Sequence, residues 1–248
     1  MVRVLSADGQ AIQNLSDWRR LGGPQRPHQW KDGRSAKECA KAWLRRGTPA
    51  VPAELKALLG SHPGTTGLSL HTATTEIETK LDDYRGKGRV HDLLAEGKVR
   101  EQRVTVSVEA KADESFGELV GEARSRALAR SPRSMVPARI DGLRAALFGP
   151  GVNIEDLRYQ LVYGVAGALI EAARRNATVA IFAVHEFVIP GHFSPIRVRR
   201  NADDFDAIVR ALGASAPTPG VLAAVPAVPG GGRVPAGVQL LLGKARYP

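Results

Sequence analysis

The segment Arg103-Val-Thr-Val-Ser-Val-Glu-Ala-Lys-Ala-Asp113 alternates apolar and polar residues, as a half-buried β-strand does. The valines at 104, 106 and 108 point to one face, and the opposite face ends on Glu109 and Lys111. Residues two apart on one face of a strand lie about 6.5–7 Å from each other. The pattern therefore predicts a strand whose C-terminal end presents a carboxylate and an ammonium group side by side.

A second strand is predicted just before this one, over residues 89–95, and it carries Asp92. The polar connection of residues 96–102 contains a glycine, which is typical of a hairpin loop. Pairing of the two strands can bring Asp92 beside Glu109, with Lys111 close to both. Two carboxylates and a lysine at one point favour a divalent cation and a nucleophilic water.

An Asp followed by Glu-x-Lys on the next strand resembles the PD-(D/E)xK nuclease superfamily. The resemblance covers residues 76–117 as a motif, and the helices and strands predicted downstream are compatible with it. It implies an α/β fold of the restriction-endonuclease-like type, in which a mixed central sheet is flanked by helices. It also implies that Asp92 and Glu109 bind Mg²⁺ (or Mn²⁺) and that Lys111 orients or activates the attacking water. The residue before Asp92 is His91, where the motif of the superfamily has proline.

The same resemblance implies supporting residues. Many members add a glutamate from the first core helix, and Glu76 is preferred over Glu78 for that third metal-binding position. Gln160 lies on the long helix after the Glu-x-Lys strand, where some members place a glutamine near the active site. If the strand register is off by two, Asp113 or Glu114 replaces one of the predicted residues.

A glycine-containing loop leads into the first strand of the hairpin and is rich in charge. Arg85 and Lys87 lie in this loop and Arg89 follows it, so we expect these three side chains to contact nucleic acid. A loop of solvated charges explains Arg85 and Lys87 equally well.

The chain has 248 residues and a formal net charge of +10, which suggests a polyanionic partner such as nucleic acid. Residues 1–65 are interpreted as a basic helical N-terminal extension, and residues 66–248 as the α/β core with a Pro/Gly-rich loop at about 213–237. Nine lysines and arginines lie between Arg19 and Arg46, interleaved with all three tryptophans. This composition fits either nucleic-acid binding or helix packing beneath a solvated basic face, and packing is favoured for Trp43.

The rest of the core is predicted from hydrophobic periodicity. The expected elements are helices at 36–46, 52–60, 118–130, 138–148, 154–175 and 201–212, and strands at 68–70, 178–185 and 238–243.

The single cysteine, Cys39, excludes an internal disulfide and is expected to be buried packing in a protein of the reducing cytoplasm. The first residues lack the anatomy of a signal peptide, and no segment is apolar enough to predict a membrane span. The function expected from the resemblance is that of a Mg²⁺-dependent (endo)deoxyribonuclease, with DNA as partner and a homodimer allowed. The alternative is a catalytically inactive protein of the same fold that binds nucleic acid or another protein.

Overall fold

The computed structural model describes residues 2–24, 27–45, 47–215 and 218–247, so two of the basic residues noted above, Arg26 and Arg46, lie outside the described residues. A seven-stranded mixed sheet has the order β1-β2-β3-β4-β5-β7-β6. The strands are β1 (Arg3–Leu5), β2 (Ser69–Thr79), β3 (Arg89–Val99), β4 (Gln102–Lys111), β5 (Val179–Phe187), β6 (Ala223–Ala224) and β7 (Gln239–Tyr247). The helices are α1 (Leu15–Leu21), α2 (Ser35–Trp43), α3 (Ala53–Leu59), α4 (Val120–Arg130), α5 (Val136–Phe148), α6 (Tyr159–Arg174) and α7 (Pro195–Ala211).

The predicted α/β class is confirmed, with helices on both faces of the sheet. Strands β2, β3 and β4 form an antiparallel meander, and β5 then pairs parallel to β4 after three helices. Strand β5 is buried at every position because both of its faces are covered, which explains its continuous apolar sequence. The meander and the strand that follows α6 are therefore parts of one sheet, and together they position the residues of the candidate site.

The β3–β4 hairpin is longer and its turn is tighter than the sequence suggests. The predicted loop 96–102 is mostly strand, and only Arg100 and Glu101 connect the two strands, with Arg100 at φ 53°. Gly97, interpreted as a loop glycine, lies inside β3 opposite Val104. A Cβ at Gly97 would collide with the carbonyl oxygen of Ser69 on β2, so this glycine permits close strand packing rather than a turn.

Strand β2 is much longer than the strand predicted at residues 68–70. The strand runs from Ser69 to Thr79 and pairs with β3 along its length, so Glu76 lies on a strand and not on the first core helix. The segment is rich in threonine, which favours strand structure. Glu76 interrupts the regular strand because its backbone adopts φ 55°. A non-glycine residue in this conformation is uncommon and marks a local change in strand direction.

The first 65 residues are part of the core and not an appended extension. Strand β1 pairs parallel with β2, and helices α1–α3 cover the face of the sheet to which Val104, Val106 and Val108 point. Trp18 and Trp43 are buried in this layer, which confirms the prediction that Trp43 is a packing residue. The described basic residues of this segment consequently lie on the outer face of a helical layer.

The opposite face of the sheet is covered by helices α4–α7, and α6 packs directly on β4 and β5. Three predicted elements are confirmed with shifted ends: α6 begins five residues later than expected, at Tyr159, α7 begins six residues earlier, at Pro195, and β7 continues to Tyr247. Among the described residues, no helix combines the length and apolar character needed to cross a bilayer.

Candidate functional site

Three carboxylate residues occupy facing positions on three neighbouring strands. The β2–β3 ladder pairs Thr75 with Leu93 and Ile77 with His91, so Glu76 is opposite Asp92. The β3–β4 ladder ends at the pair Leu93–Val108, and the next position of each strand carries Asp92 and Glu109. The sequence predicted the Asp92–Glu109 juxtaposition. We call Glu76, Asp92 and Glu109 the acidic row.

The acidic row lies where the sheet loses its regular alternation. His91 and Leu93 are two residues apart on β3, yet Leu93 packs beneath the valine face while His91 contacts Ser107 and α6 on the other face. The change of face occurs at Asp92, opposite the unusual backbone of Glu76. Here strands β3 and β4 separate, and the Asp92 Oδ2 atom accepts a hydrogen bond from the Ala110 N–H at 2.7 Å. The Asp92 side chain thus takes the place of a backbone carbonyl in the ladder.

Glu109 is the most heavily hydrogen-bonded member of the row. Its Oε1 atom accepts from Lys111 Nζ at 2.9 Å and from Gln160 Nε2 at 2.7 Å, and its Oε2 atom accepts from the Arg89 guanidinium. Lys111 also donates to Gln160 Oε1 at 3.1 Å. Helix α6 therefore supplies Gln160 as a bridge between the glutamate and the lysine. The side chain of Glu109 is held from three sides.

The three residues expected to contact nucleic acid fall into two groups. Arg85 and Lys87 lie exposed in the loop between β2 and β3, and neither has an ion-pair partner within the described part of the chain. Arg89 is only 4% exposed, and its guanidinium binds Glu109 and lies 5.6 Å from the centre of the Tyr163 ring. Arg89 is therefore a partner of the acidic row, whereas Arg85 and Lys87 are surface cations beside it.

Asp113 and Glu114, the alternatives in case of a register error, do not join the row. Asp113 accepts from the Ser194 N–H at 3.2 Å and pairs with Arg34 and Arg197. Glu114 accepts from the backbone N–H of Ala112 and of Ser35. These two carboxylates connect the end of β4 to the starts of α2 and α7, so they order the loops next to the site.

Burial and mutual repulsion divide the row electrostatically. Burial, followed by the charge of Glu109, raises the pKa of Asp92 to about 7 against the opposing effects of Arg89 and Lys111. Burial also raises the pKa of Glu76, more than Arg89 lowers it. Burial acts on Glu109 in the same direction, but Arg89 and Lys111 outweigh it and hold the pKa of Glu109 below its ordinary value. The positive charges of Arg89 and Lys111 thus outweigh the effect of burial at Glu109, but they do not outweigh it at Asp92 and Glu76.

The Asp92→Asn variant is expected to be more stable than the wild type, by an amount that grows as pH rises from about 4 to about 7. The folded wild type keeps the Asp92 proton until its pKa of about 7, while the unfolded chain loses it near 3.8. Wild-type stability therefore falls by up to about 1.4 kcal/mol per pH unit in this window, and asparagine does not titrate. Urea unfolding of both proteins at pH 5, 6, 7 and 8, without divalent cations, measures the difference.

The comparison of the two proteins isolates Asp92 from other titrating groups. Burial lowers the pKa of His91 and of His185, so both histidines make stability fall as pH drops below about 6.5. This effect is common to both proteins and cancels in their difference. A stability difference that stays constant from pH 5 to pH 8 would contradict the raised pKa of Asp92.

The residue types of the acidic row fit a hard divalent cation. Carboxylate oxygens are the ligands that Mg²⁺ and Mn²⁺ prefer, and these ions keep several waters. Asp92 accepts only a backbone N–H, and no hydrogen bond to the Glu76 side chain is found among the described residues. In the described ranges, no three His, Cys, Asp or Glu side chains converge closely enough to form a preassembled metal cluster. The carboxylate oxygens of the acidic row are therefore suitable metal ligands, but those of Glu109 already accept hydrogen bonds from protein side chains.

A buried polar network that was not predicted from the sequence joins α6 to the same strands. Ser107 Oγ lies 2.6 Å from His91 Nδ1, His91 Nε2 lies 2.9 Å from Thr79 Oγ1, and Thr79 donates to Glu171 Oε1 at 2.5 Å. A neutral His91 with its proton on Nε2 satisfies all these bonds, in agreement with its lowered pKa. The available signal was the presence of polar residues at strand positions where a buried sheet requires apolar ones.

Comparisons with known proteins give one match. A family model described as a domain of unknown function (DUF6946) matches residues 11–248. Neither the comparison with curated proteins nor the comparison with solved structures finds a match.

Proposed function

Because the chain belongs to the DUF6946 family, whose description assigns no activity, we propose its function from the site: it is a metal-dependent nuclease that hydrolyses DNA phosphodiester bonds. The observation that carries this proposal is the juxtaposition of Asp92, Glu109 and Lys111 on adjacent strands, with Lys111 fixed by Glu109 and Gln160. A carboxylate pair and a desolvated lysine at one point are suited to phosphoryl chemistry.

The topology around the site supports the proposal. The three antiparallel strands, the following helices and the parallel β5 form a mixed sheet flanked by helices, which is compatible with the fold that the PD-(D/E)xK resemblance implies. Within this order, Asp92 is on the second strand of the meander and Glu109 and Lys111 are on the third. Fold alone does not specify an activity, so the proposal depends on these three side chains.

Lys111 is placed to act on a phosphate or on the attacking water. An ammonium group has three donors, and two of them point to Glu109 Oε1 and Gln160 Oε1. No acceptor for the third donor is found among the described residues, so it is available for a phosphate oxygen or a water. The burial of Lys111 strengthens the electrostatic effect of its amine. The lysine is thereby oriented before any substrate arrives.

Asp92 and Glu109 are the residues that would hold Mg²⁺, with Glu76 as a third donor. When bound there, the ion supplies Lewis-acid stabilisation of the phosphate and lowers the pKa of its coordinated water. The surface favours a polyanion, because the chain has a net charge of +10 and the exposed Arg85 and Lys87 stand on the loop that leads to Arg89. A free, buried Cys39 is compatible with action in the cytoplasm.

The direct test is cleavage of supercoiled and linear plasmid DNA by the purified protein in Mg²⁺, in Mn²⁺ and in EDTA. We expect nicking or cutting in either metal and none in EDTA, and we expect Asp92→Ala to be inactive in all three conditions. Cleavage that persists in EDTA or in the Asp92→Ala variant would contradict the assignment of this site.

A second function is favoured by one specific observation. Both oxygens of Glu109 already accept hydrogen bonds from Arg89, Lys111 and Gln160. The negative charge of Glu109 is therefore compensated by cations of the protein, as expected for a site that binds no metal. A protein of this fold without activity would bind nucleic acid, or a protein partner, through its basic surface. Fluorescence anisotropy with labelled DNA between 50 and 200 mM salt separates the two functions: steeply salt-dependent binding without cleavage in any metal supports the second.

A further inference from the structure

We propose that Arg89 is a resident counter-ion of the acidic row that competes with the divalent cation for Glu109 and so sets the affinity of the site for metal. This inference rests on the proposed function, because it concerns the same carboxylates. It adds a positioning residue outside the Asp, Glu and Lys of the motif. Its consequence is that the guanidinium and a metal ion compete for the same carboxylate, so Arg89 weakens metal binding at Glu109.

The position of Arg89 is the first support. The guanidinium donates to Glu109 Oε2, the oxygen that neither Lys111 nor Gln160 uses. Arg89 thus occupies one of the two acceptor positions on the only oxygen of Glu109 that those two residues leave unused. Among the charged groups of the described chain, those that face it are Glu76, Asp92, Glu109 and, across Glu109, Lys111. A divalent ion at the row would meet the buried positive charge of Arg89 within the same small volume.

The burial of Arg89 is accommodated by small and aromatic residues on α6. A Cβ on Gly167 would lie 3.1 Å from Arg89 Cγ and 3.0 Å from His91 Cε1, so a larger residue would crowd the arginine stem. The Tyr163 ring, one turn earlier on α6, lies 5.6 Å from the guanidinium carbon. An arginine is rarely buried unless it is paired, and here both the pocket and the partner are present.

Arg89 is bonded to Glu109, but its hydrogen-bond donors are only partly satisfied within the described part of the chain. A guanidinium that binds a carboxylate with two parallel N–H bonds is fixed strongly. Only one Arg89 nitrogen donates to Glu109, and the buried Nε atom finds no hydrogen-bond partner in the described part of the chain. An incompletely satisfied donor lowers the cost of moving the group away. The guanidinium can therefore be displaced by a stronger cation without the loss of a bidentate pair.

The test is the affinity for Mn²⁺, measured by calorimetry and by the electron paramagnetic resonance signal of the free ion. We expect Arg89→Met, which keeps an unbranched stem without the charge, to bind Mn²⁺ at least tenfold more tightly than the wild type. Arg89→Lys keeps a charge and should stay as weak as the wild type. The matched control is Arg174→Met, which removes an arginine paired with a different buried glutamate, Glu171, and should leave the affinity unchanged.

Thermal unfolding gives a second readout if the uncompensated row weakens the fold. We expect Mn²⁺ to raise the Tm of Arg89→Met by more than it raises the Tm of the wild type, because the ion replaces the missing charge. If the wild type and Arg89→Met bind Mn²⁺ equally well, the inference is overturned while the proposed nuclease survives. If Arg89→Met binds more tightly but the wild type never cleaves DNA, the inference stands and the proposed function falls. Absence of Mn²⁺ binding in both proteins overturns both.

Discussion

The Lys111→Met variant is expected to lose roughly a hundredfold to a thousandfold of the metal-dependent rate of DNA cleavage while it retains the fold. This range is typical for removal of one preorganised donor to a developing charge. In the structure Lys111 is only 7% exposed, and its ammonium group is fixed by Glu109 at 2.9 Å and Gln160 at 3.1 Å. Methionine fills most of the same volume, so the loss should appear in kcat rather than in the affinity for DNA.

A matched control for this experiment lies on the same hairpin. Lys98→Met removes an identical charge from an exposed position at the opposite end of β3, so it changes the net charge equally. Single-turnover cleavage with Mg²⁺ and circular dichroism of all three proteins complete the measurement. Equal rates for Lys111→Met and the wild type, with both folded, would remove Lys111 from the reaction. An equal loss in Lys98→Met would point to weakened DNA binding instead.

The part of the site that the sequence predicts depends on regular strand geometry. On β4 the period of two holds through Glu109 and Lys111, and the valine face is buried as expected. The pairing of β3 with β4 then follows from one hairpin, so the position of Asp92 opposite Glu109 could be inferred without the structure. These local rules also explain why helices α2–α7 and β5 were found with errors only at their ends, whereas the short helix α1 was not predicted.

The position of Arg89 could not be inferred, because the period of two fails there. Residues 89, 91 and 93 should share a face, and the sequence contains no sign that they do not. In the structure Leu93 packs beneath the valine face, whereas Arg89 and His91 contact Gly167 on the opposite side. The reversal accompanies the positive φ of Glu76 on the neighbouring strand. Arg89, three residues before Asp92, thereby contacts the acidic row through Glu109.

The extent of the core was misjudged for a different physical reason. The first 65 residues are strongly basic, which predicts an exposed extension, but amphipathic helices can present a charged face outward and still bury the other. Trp18, Trp43 and Leu55 do so beneath the sheet. Strand β1 also pairs with β2 and extends the sheet beyond the meander. Composition indicates the character of a surface, whereas burial depends on the periodicity of the apolar positions.

The Glu171→Ala variant is expected to lower the free energy of unfolding by about 2–4 kcal/mol, the cost of a cavity and of a buried hydroxyl that loses its acceptor. Glu171 is fully buried on α6, where it accepts from Thr79 at 2.5 Å and from Arg174 at 2.9 Å, and also pairs with Arg175. Alanine leaves the Thr79 hydroxyl without its acceptor and a cavity between α6 and the sheet. The Tm should fall by roughly 10 °C, since each kcal/mol corresponds to about 2–4 °C in a chain of this size.

Glu96→Ala is the control that separates burial from charge. Glu96 binds the same Arg175 at 3.2 Å, but its side chain is about one-third exposed, so we expect a loss of at most about 1 kcal/mol. Urea unfolding followed by circular dichroism measures both variants. Similar small losses in the two proteins would show that the His91–Thr79–Glu171 network does not fix α6 on the sheet. A large loss in Glu171→Ala alone would show that it does. Because α6 carries Gln160, the same bonds that stabilise the helix also hold the partner of Glu109 and Lys111 in place.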